Sequence, residues 1–297
     1  MAQEVETEKT QDSKTSAQLP AVKAEKAVEI DIERVLRDKM GSKARYVPRS
    51  VVRWLKKIIH QDDMNGFFRA HKDEEGVQWL KSVVEYADMR ITVHGLENLP
   101  TDSAHRYTFA SNHPLGGIDG VALGAILGEH YDGNIRYLLN DILMNLPGLR
   151  PLGVAVNVTG SQGREAMLKV DEVFASDYQL IMFPAQLCSR MIKGRVQDLP
   201  WKKAVVQKSV QHQRDIVPIH FSGQNSKRFY RIANWSKRLG LKVNVAMLFL
   251  VDELYRNMHK PFEVHIGKPI PWQTFTSDRS YSDWAQWVRA QVYELKK

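Results

Sequence analysis

In the stretch Phe109-Ala-Ser-Asn-His-Pro-Leu-Gly-Gly-Ile-Asp-Gly120 an imidazole and a carboxylate share one short turn. A carboxylate within reach of one ring nitrogen of His113 fixes its tautomer and raises the basicity of the other nitrogen, which is what a general base requires. Gly116 and Gly117 allow the tight loop that lets Asp119 fold back on His113. The competing reading is turn and cap chemistry, since Asn-His-Pro is ordinary turn vocabulary and an aspartate at a helix start commonly caps it.

The elements that must carry this loop are legible from hydrophobic period. Tyr107 to Ser111 reads as the end of a buried strand, and Gly120-Val-Ala-Leu-Gly-Ala-Ile-Leu127 as a helix packed behind it. Upstream, residues 27–40, 48–60 and 74–88 read as helices, the last with Val77, Leu80, Val83 and Val84 on one face, and Arg90 to His94 alternates as a strand. Strand-like runs follow at 107–111, 135–139, 153–158, 179–183, 215–221 and 262–266. Helix-length stretches at 117–129, 162–176, 202–212, 226–238 and 246–258 separate them, and an amphipathic segment over 280–297 closes the chain. Such alternation predicts an α/β fold, a mostly parallel central sheet flanked by helices, with an N-terminal helical extension. The expected division is a disordered tail over 1–24, a helical membrane-proximal region over 25–88 and the α/β domain over 89–297. Ligands of such sheets collect at the carboxyl ends of the strands, so the loop after Ser111 and the loop after Phe183 are expected to open on one pocket.

The 297 residues are 43% apolar with a mean hydropathy of −0.39, enough for one substantial core. No window approaches the apolar length of a membrane span. The polar first residues, with Glu4, Glu6, Glu8 and Asp12, do not read as a secretory signal. Cys188 is the only cysteine, which excludes an intrachain disulfide and a thiolate zinc cluster, and a cytoplasmic protein is expected. The formal charge of +8 is unevenly spread. Lys43, Arg45, Arg49, Arg53, Lys56 and Lys57 lie in an acid-free stretch between Gly41 and His60, around Val51, Val52, Trp54, Leu55, Ile58 and Ile59 at helical spacing. A second acid-free region, Gly223 to Val251, carries Lys227, Arg228, Arg231, Lys237, Arg238 and Lys242 among Phe229, Tyr230 and Trp235. Cations beside aromatic residues suit an anionic membrane surface, which predicts a peripheral protein on the inner face of the cytoplasmic membrane. A solvated helix face is the plainer alternative. No nucleic-acid-binding motif accompanies the charge, so no nucleic-acid partner is expected.

The His113–Asp119 loop resembles the first block of the glycerolipid acyltransferase superfamily, whose signature is Asn-His followed by an aspartate. Five residues, Pro114 to Ile118, separate the pair here. That spacing resembles the bacterial hemolysin-like branch, which includes O-acyltransferases of ornithine and glycine lipids. So do Gly95-Leu-Glu-Asn-Leu-Pro100, Phe183-Pro-Ala-Gln-Leu-Cys-Ser-Arg190 and Val217-Pro-Ile-His-Phe-Ser-Gly-Gln-Asn-Ser226, which leads into Phe229-Tyr230. The likeness runs from about Val28 to Pro271. It implies that His113 is the base and Asp119 its partner, that Asn112, Gly116 and Gly117 belong to the substrate site, and that N–H groups around the two glycines face the developing oxyanion. The third block of the family usually reads Phe-Pro-Glu-Gly or Phe-Pro-Ala-Gly-Glu. Ala185, Gln186 and Leu187 supply neither the carboxylate nor the glycine. Ser189 and Arg190 remain, with Arg195 nearby, to hold an anionic head group by charge-assisted hydrogen bonds, while Lys193 reads as solvated loop charge. The position of the block-two arginine is taken by Asn157, with Arg164 as its substitute. Asn225 or Ser226 reads as the N-cap of the following helix.

The resemblance implies direct transfer. The acceptor hydroxyl gives its proton to His113 while attacking the thioester of acyl carrier protein or acyl-CoA, with no metal or cofactor. The departures at Asn157 and at Ala185 to Leu187 favour a lyso-aminolipid acceptor, such as lyso-glycine or lyso-ornithine lipid, over the lysophosphatidic acid of a 1-acylglycerol-3-phosphate acyltransferase. Two other classes stay open. One is a Cys188–His113 thiol hydrolase, against which no Gly-x-Cys-x-Gly elbow surrounds Cys188. The other is a lipid-binding protein that kept the fold and lost turnover.

Overall fold

The computed structural model describes residues 29–102, 105–156, 164–238 and 248–296. Four helices come first: α1 (Ile32–Met40), α2 (Arg49–Ile58), α3 (Gln61–Ala70) and α4 (Gly76–Tyr86). There follow β1 (Arg90–His94), β2 (Tyr107–Ser111), α5 (Ile118–His130), β3 (Ile135–Asn140), β4 (Gly153–Val156), α6 (Arg164–Ala175) and β5 (Gln179–Met182). The chain continues through β6 (Arg190–Ile192), β7 (Arg195–Gln197), α7 (Ala204–Gln211), β8 (Asp215–Phe221), α8 (Lys227–Arg238), α9 (Leu250–Asn257), β9 (Pro261–Ile266) and α10 (Tyr281–Glu294).

Seven strands form one sheet in the order β1-β9-β8-β2-β5-β3-β4. From β8 to β4 all neighbours are parallel, while β9 runs antiparallel to β8 and carries β1 parallel to itself on the outer edge. The fold is therefore α/β with a mostly parallel central sheet. Every residue of β2 is buried, and its sequence Tyr-Thr-Phe-Ala-Ser shows no polar alternation, as a central parallel strand covered on both faces requires. Phe109 and Ile181 point into one apolar cluster and their neighbours Ala110 and Leu180 into another, so the two clusters lie on opposite faces of the sheet. The first also takes Phe67, Phe68, Trp79 and Leu80 from the N-terminal helices. The second takes Val205 of α7 and Trp284 and Val288 of α10. Close approach of α5 to β3 depends on Gly124, where a Cβ would stand 1.6 Å from Tyr137 Oη. That hydroxyl donates to the Gly120 carbonyl at 2.7 Å, tying the start of α5 to the sheet.

The structure departs from the sequence expectation at three places. The helix expected over 48–60 ends at Ile58, His60 turns left-handed at φ 48°, and α3 begins there to bury Phe67 and Phe68. The β6–β7 hairpin, turned through Lys193 and Gly194 at positive φ, is too short for a strand period to register. Of the helix expected from residue 246, the described part begins with Leu248 and Phe249 in a tighter turn before α9 starts at Leu250. The expected tail over 1–24, the last residues of the strand expected over 153–158, and Lys242 lie outside the described residues. Among the described residues no helix is long and apolar enough to cross a membrane.

Candidate active site

Strand register sets the two loops side by side. Ala110 pairs with Met182 on one flank and Pro218 on the other, so β2, β5 and β8 end nearly level. Asn112 prolongs that ladder with its side chain, accepting from the Phe221 N–H at 2.7 Å and donating to the Phe221 carbonyl at 2.9 Å. Its amide braces the loop against β8.

One turn further, His113 Nδ1 lies 3.1 Å from Asp119 Oδ2. Asp119 is fully buried in the first turn of α5. Its Oδ2 also accepts from the N–H of Leu115 (2.9 Å) and Gly116 (3.3 Å), and its Oδ1 from Gly117 (3.0 Å) and Gly120 (2.9 Å). Burial alone would push this carboxyl up. Attraction to the imidazolium and the converging donors outweigh it and hold Asp119 below the usual carboxylate range. Burial likewise disfavours charge on His113, yet Asp119, by its charge and its hydrogen bond, carries the imidazole above its ordinary value. With Nδ1 committed to Asp119, Nε2 is the nitrogen left for a proton. The side chain keeps 16% of its surface exposed, so a substrate can meet it. The expectation that the glycine N–H groups face an oxyanion is corrected, because both are spent on Asp119. Gly116 serves by being small. At φ 80° it passes so close to the neighbouring loop that a Cβ would stand 2.8 Å from Cys188 Cβ and 2.9 Å from Leu250.

The loop after β5 closes over the same place. Phe183 stacks on the His113 ring at 4.1 Å, and the Ser189 N–H donates to the His113 carbonyl at 2.7 Å. Sequence reasoning missed the group that joins the two loops, Asp198. Its Oδ1 accepts from the His113 N–H (3.2 Å) and the Ser189 hydroxyl (2.6 Å), its Oδ2 from the Trp201 indole (2.9 Å). Burial pushes its carboxyl up against the pull of those donors. The Asp198 N–H in turn donates to Tyr293 of α10 at 2.8 Å. The one signal in the sequence was that Asp198 is the only acidic residue between Asp177 and Asp215. It brings to this region a carboxylate that residues 185–187 lack.

Gln186 holds a left-handed φ of 61° in the turn where the resembled pattern has glycine. Ser189 is buried and committed to Asp198. Arg190 folds back on its own loop, with Nη1 2.5 Å from the Cys188 carbonyl and 3.0 Å from Cys188 Sγ. Arg195 sits exposed on β7 of the hairpin. Arg164 begins α6, but its side chain, like all of Asn157, lies outside the described residues. Burial pushes the Cys188 thiol up to about 11, so it stays protonated and weakly nucleophilic at neutral pH. Among the described residues one group has metal-ligand spacing, His94, Glu263 and His265, and it lies on β1 and β9, two and three strands from β2.

Folding brings the two acid-free segments together beside this site. Trp54 of α2 meets Phe249 edge-on at 5.9 Å, and Arg228 of α8 lies over the same ring at 4.9 Å. Ile58, Phe229, Tyr230 and Phe249 form one buried cluster with Cys188. On the same two segments Trp54, Tyr46, Val51 and Leu248 are exposed, and Trp235 is 70% exposed. Ser226 caps α8 by accepting from the Phe229 N–H at 3.2 Å.

A family model described as Acyltransferase matches residues 34–297. The chain belongs to that acyltransferase family, and the protein is an enzyme of acyl transfer. It is 53% identical over 266 residues to a lyso-glycine lipid O-acyltransferase of Phocaeicola vulgatus, covering 90% of this chain and 95% of the relative. It is 52% identical over 266 residues to the lyso-glycine lipid O-acyltransferase of Bacteroides thetaiotaomicron, covering 90% and 97%. Among solved structures it overlaps the 1-acyl-sn-glycerophosphate (LPA) acyltransferase PlsC of Thermotoga maritima at TM-score 0.46 and 19% identity, over 84% of this chain and 83% of that one.

Proposed function

We propose that this enzyme moves a fatty acyl group from the thioester of acyl carrier protein or acyl-CoA to the hydroxyl of a lyso-lipid, a lyso-aminolipid such as lyso-glycine lipid in preference to lysophosphatidic acid. His113 takes the proton of the attacking hydroxyl through Nε2, and Asp119 stabilises the imidazolium that forms. The observation that carries the reading is the His113–Asp119 pair at 3.1 Å, buried on the carboxylate side and open on the imidazole side. Two relatives more than half identical to this chain, both named for lyso-glycine lipid O-acylation, support that choice of acceptor. No covalent enzyme intermediate is needed. The protonated, buried thiol of Cys188 speaks against a thiol hydrolase. The joined cationic and aromatic surface of α2 and α8 supports docking on an anionic membrane surface, such as the inner face of the cytoplasmic membrane. Turnover of lyso-glycine lipid and of lysophosphatidic acid with one donor tests the proposal. A higher kcat/KM for lysophosphatidic acid overturns the acceptor, and transfer to neither overturns the activity.

A further inference from the structure

A cavity of about 400 Å³ opens beside the His113 loop, between the start of α8, α9 and Met191 of β6. Three cations line it, Lys227, Arg256 and Lys260, against one carboxylate, Glu253. Glu253 is already engaged, accepting from the Ser226 N–H (2.6 Å) and hydroxyl (2.5 Å). Arg256 holds Asp252 with Nε alone at 2.7 Å, leaving its terminal nitrogens. Lys260 spends one N–H on Asn257 at 3.0 Å, and Lys227 has no hydrogen bond or ion pair among the described residues. The cavity therefore carries surplus positive charge whose natural complement is an oxyanion.

Asn225 narrows the choice of oxyanion. The residue is 4% exposed and lines the cavity. Its Nδ2 donates to the Leu115 carbonyl at 3.3 Å, which fixes the amide orientation, since the flipped amide would set two acceptors against each other. Its Oδ1 is then buried with no hydrogen-bond partner, an unmet acceptor beside a cluster of cations. A ligand that satisfies both features has an N–H donor next to an anionic group. An N-acylated amino acid has that pattern, its amide N–H two bonds from the carboxylate carbon. A phosphate ester offers no N–H at that spacing. Leu115 is two residues from His113, at most ~7 Å of backbone. A head group held here would leave the acceptor chain close to the base, whereas the phosphate of a donor stands at the far end of a long arm from its thioester.

We infer that this cavity is the acceptor head-group site and takes the carboxylate and amide N–H of an N-acylated amino acid, Lys227 and Lys260 meeting the carboxylate and Asn225 Oδ1 the amide. This rests on the acyl-transfer reading above and assigns the binding site of the head group, which that reading leaves open. It replaces Arg190, whose guanidinium is folded onto the Cys188 carbonyl, as the first carboxylate ligand.

The test uses the full chain with Lys227→Met and Lys260→Met combined, both exposed positions that leave the core untouched. Two readouts are taken: turnover of lyso-glycine lipid, and direct calorimetric binding of N-octanoylglycine, which lacks the hydroxyl and cannot be acylated, with N-octanoylethanolamine as neutral control. The double variant is expected to raise the KM for lyso-glycine lipid and the Kd for N-octanoylglycine at least ~10-fold, the loss of a charge-assisted contact, with kcat and donor KM unchanged. Unchanged acceptor KM and unchanged binding overturn the inference. A raised donor KM with unchanged acceptor KM also overturns it, assigning the cations to the donor phosphate. Asn225→Leu, checked by its melting curve, should weaken N-octanoylglycine more than octanoic acid, and equal weakening of the two overturns the role of the amide. If wild type binds N-octanoylglycine and the variant does not, but neither acylates lyso-glycine lipid, the cavity assignment stands and the proposed function falls.

Discussion

Asp119→Asn is the most discriminating single change, because the carboxylate serves the chemistry and the fold at once. Each of its oxygens holds two backbone N–H groups, Gly117 and Gly120 on Oδ1, Leu115 and Gly116 on Oδ2, with His113 as a fifth donor. An amide has one acceptor oxygen, so in either orientation its NH2 faces two backbone donors that lose their partner. At about 1–3 kcal/mol for each orphaned buried donor, the loss is roughly 2–6 kcal/mol. A fall in melting temperature of at least about 4 °C follows, at the ~2–4 °C per kcal/mol usual for chains approaching this size. His113→Ala removes only one of the five donors and should cost about 1 kcal/mol, yet lower acyl transfer at least ~10²-fold as the base disappears. The pH profile separates the roles. As a base His113 acts neutral, and Asp119 raises its pKa in the folded enzyme, so the acid limb of kcat/KM lies above the ordinary histidine value of about 6.5. In Asp119→Asn the attraction goes while burial stays, and the limb moves below about 6.5. Stability follows the same signs. The raised His113 pKa adds stability fully present below about pH 6.5 and lost as pH rises through the folded value. The lowered Asp119 pKa adds stability present above about pH 3.9 and lost as pH falls through its folded value. The gap in stability between wild type and Asp119→Asn should be widest between those limits. An unshifted acid limb together with an unchanged melting curve would refute the pair as described.

Cys188→Ala should keep most of the activity, and the wild-type thiol should resist iodoacetamide at pH 7.5, because burial holds it protonated; an acyl adduct trapped on Cys188 would overturn this. Gln186→Gly should raise the melting temperature, relieving a left-handed residue by about 1 kcal/mol, and a lower melting temperature would show that the Gln186 side chain matters more than its φ. Neutralising Arg49, Arg53, Lys56 and Lys57 together should weaken partition onto anionic vesicles by roughly 1 kcal/mol per charge, except that Lys56 is shared with Glu33 at 2.7 Å and should count for less; unchanged partition returns α2 to a solvated face.

Local chemistry explains why much of the site was legible. Asn112, His113 and Asp119 lie within eight residues, and so small a loop between a buried strand and a helix has few ways to fold. The β2 and β8 boundaries were readable because both strands are short runs of mostly apolar or small residues with no charge between their end residues, set between polar breaks. The β6–β7 hairpin and α3 were not, since short strands carry no period and the break at His60 is a backbone turn rather than a proline or glycine. Arg190 looked like a free cation in sequence. Only the folded loop shows it spent on Cys188.

By itself the sequence determined the α/β class, the order of the longer helices and strands and the pairing of His113 with Asp119, because these depend on period and on contacts a few residues apart. Tertiary structure decided what depends on residues far apart in the chain. Asp198 meets His113 across 85 residues because β5 lies beside β2. Arg214 is sealed inside the protein by the carbonyls of Phe174, Tyr178, Tyr107 and Ser176, where sequence would place a basic residue on the surface. The cavity between α8 and α9 gathers Asn225, Lys227 and Lys260 beside a loop more than a hundred residues upstream. Pattern along a chain reports the geometry of one element, while such meetings are fixed by strand order and register, which no single element encodes.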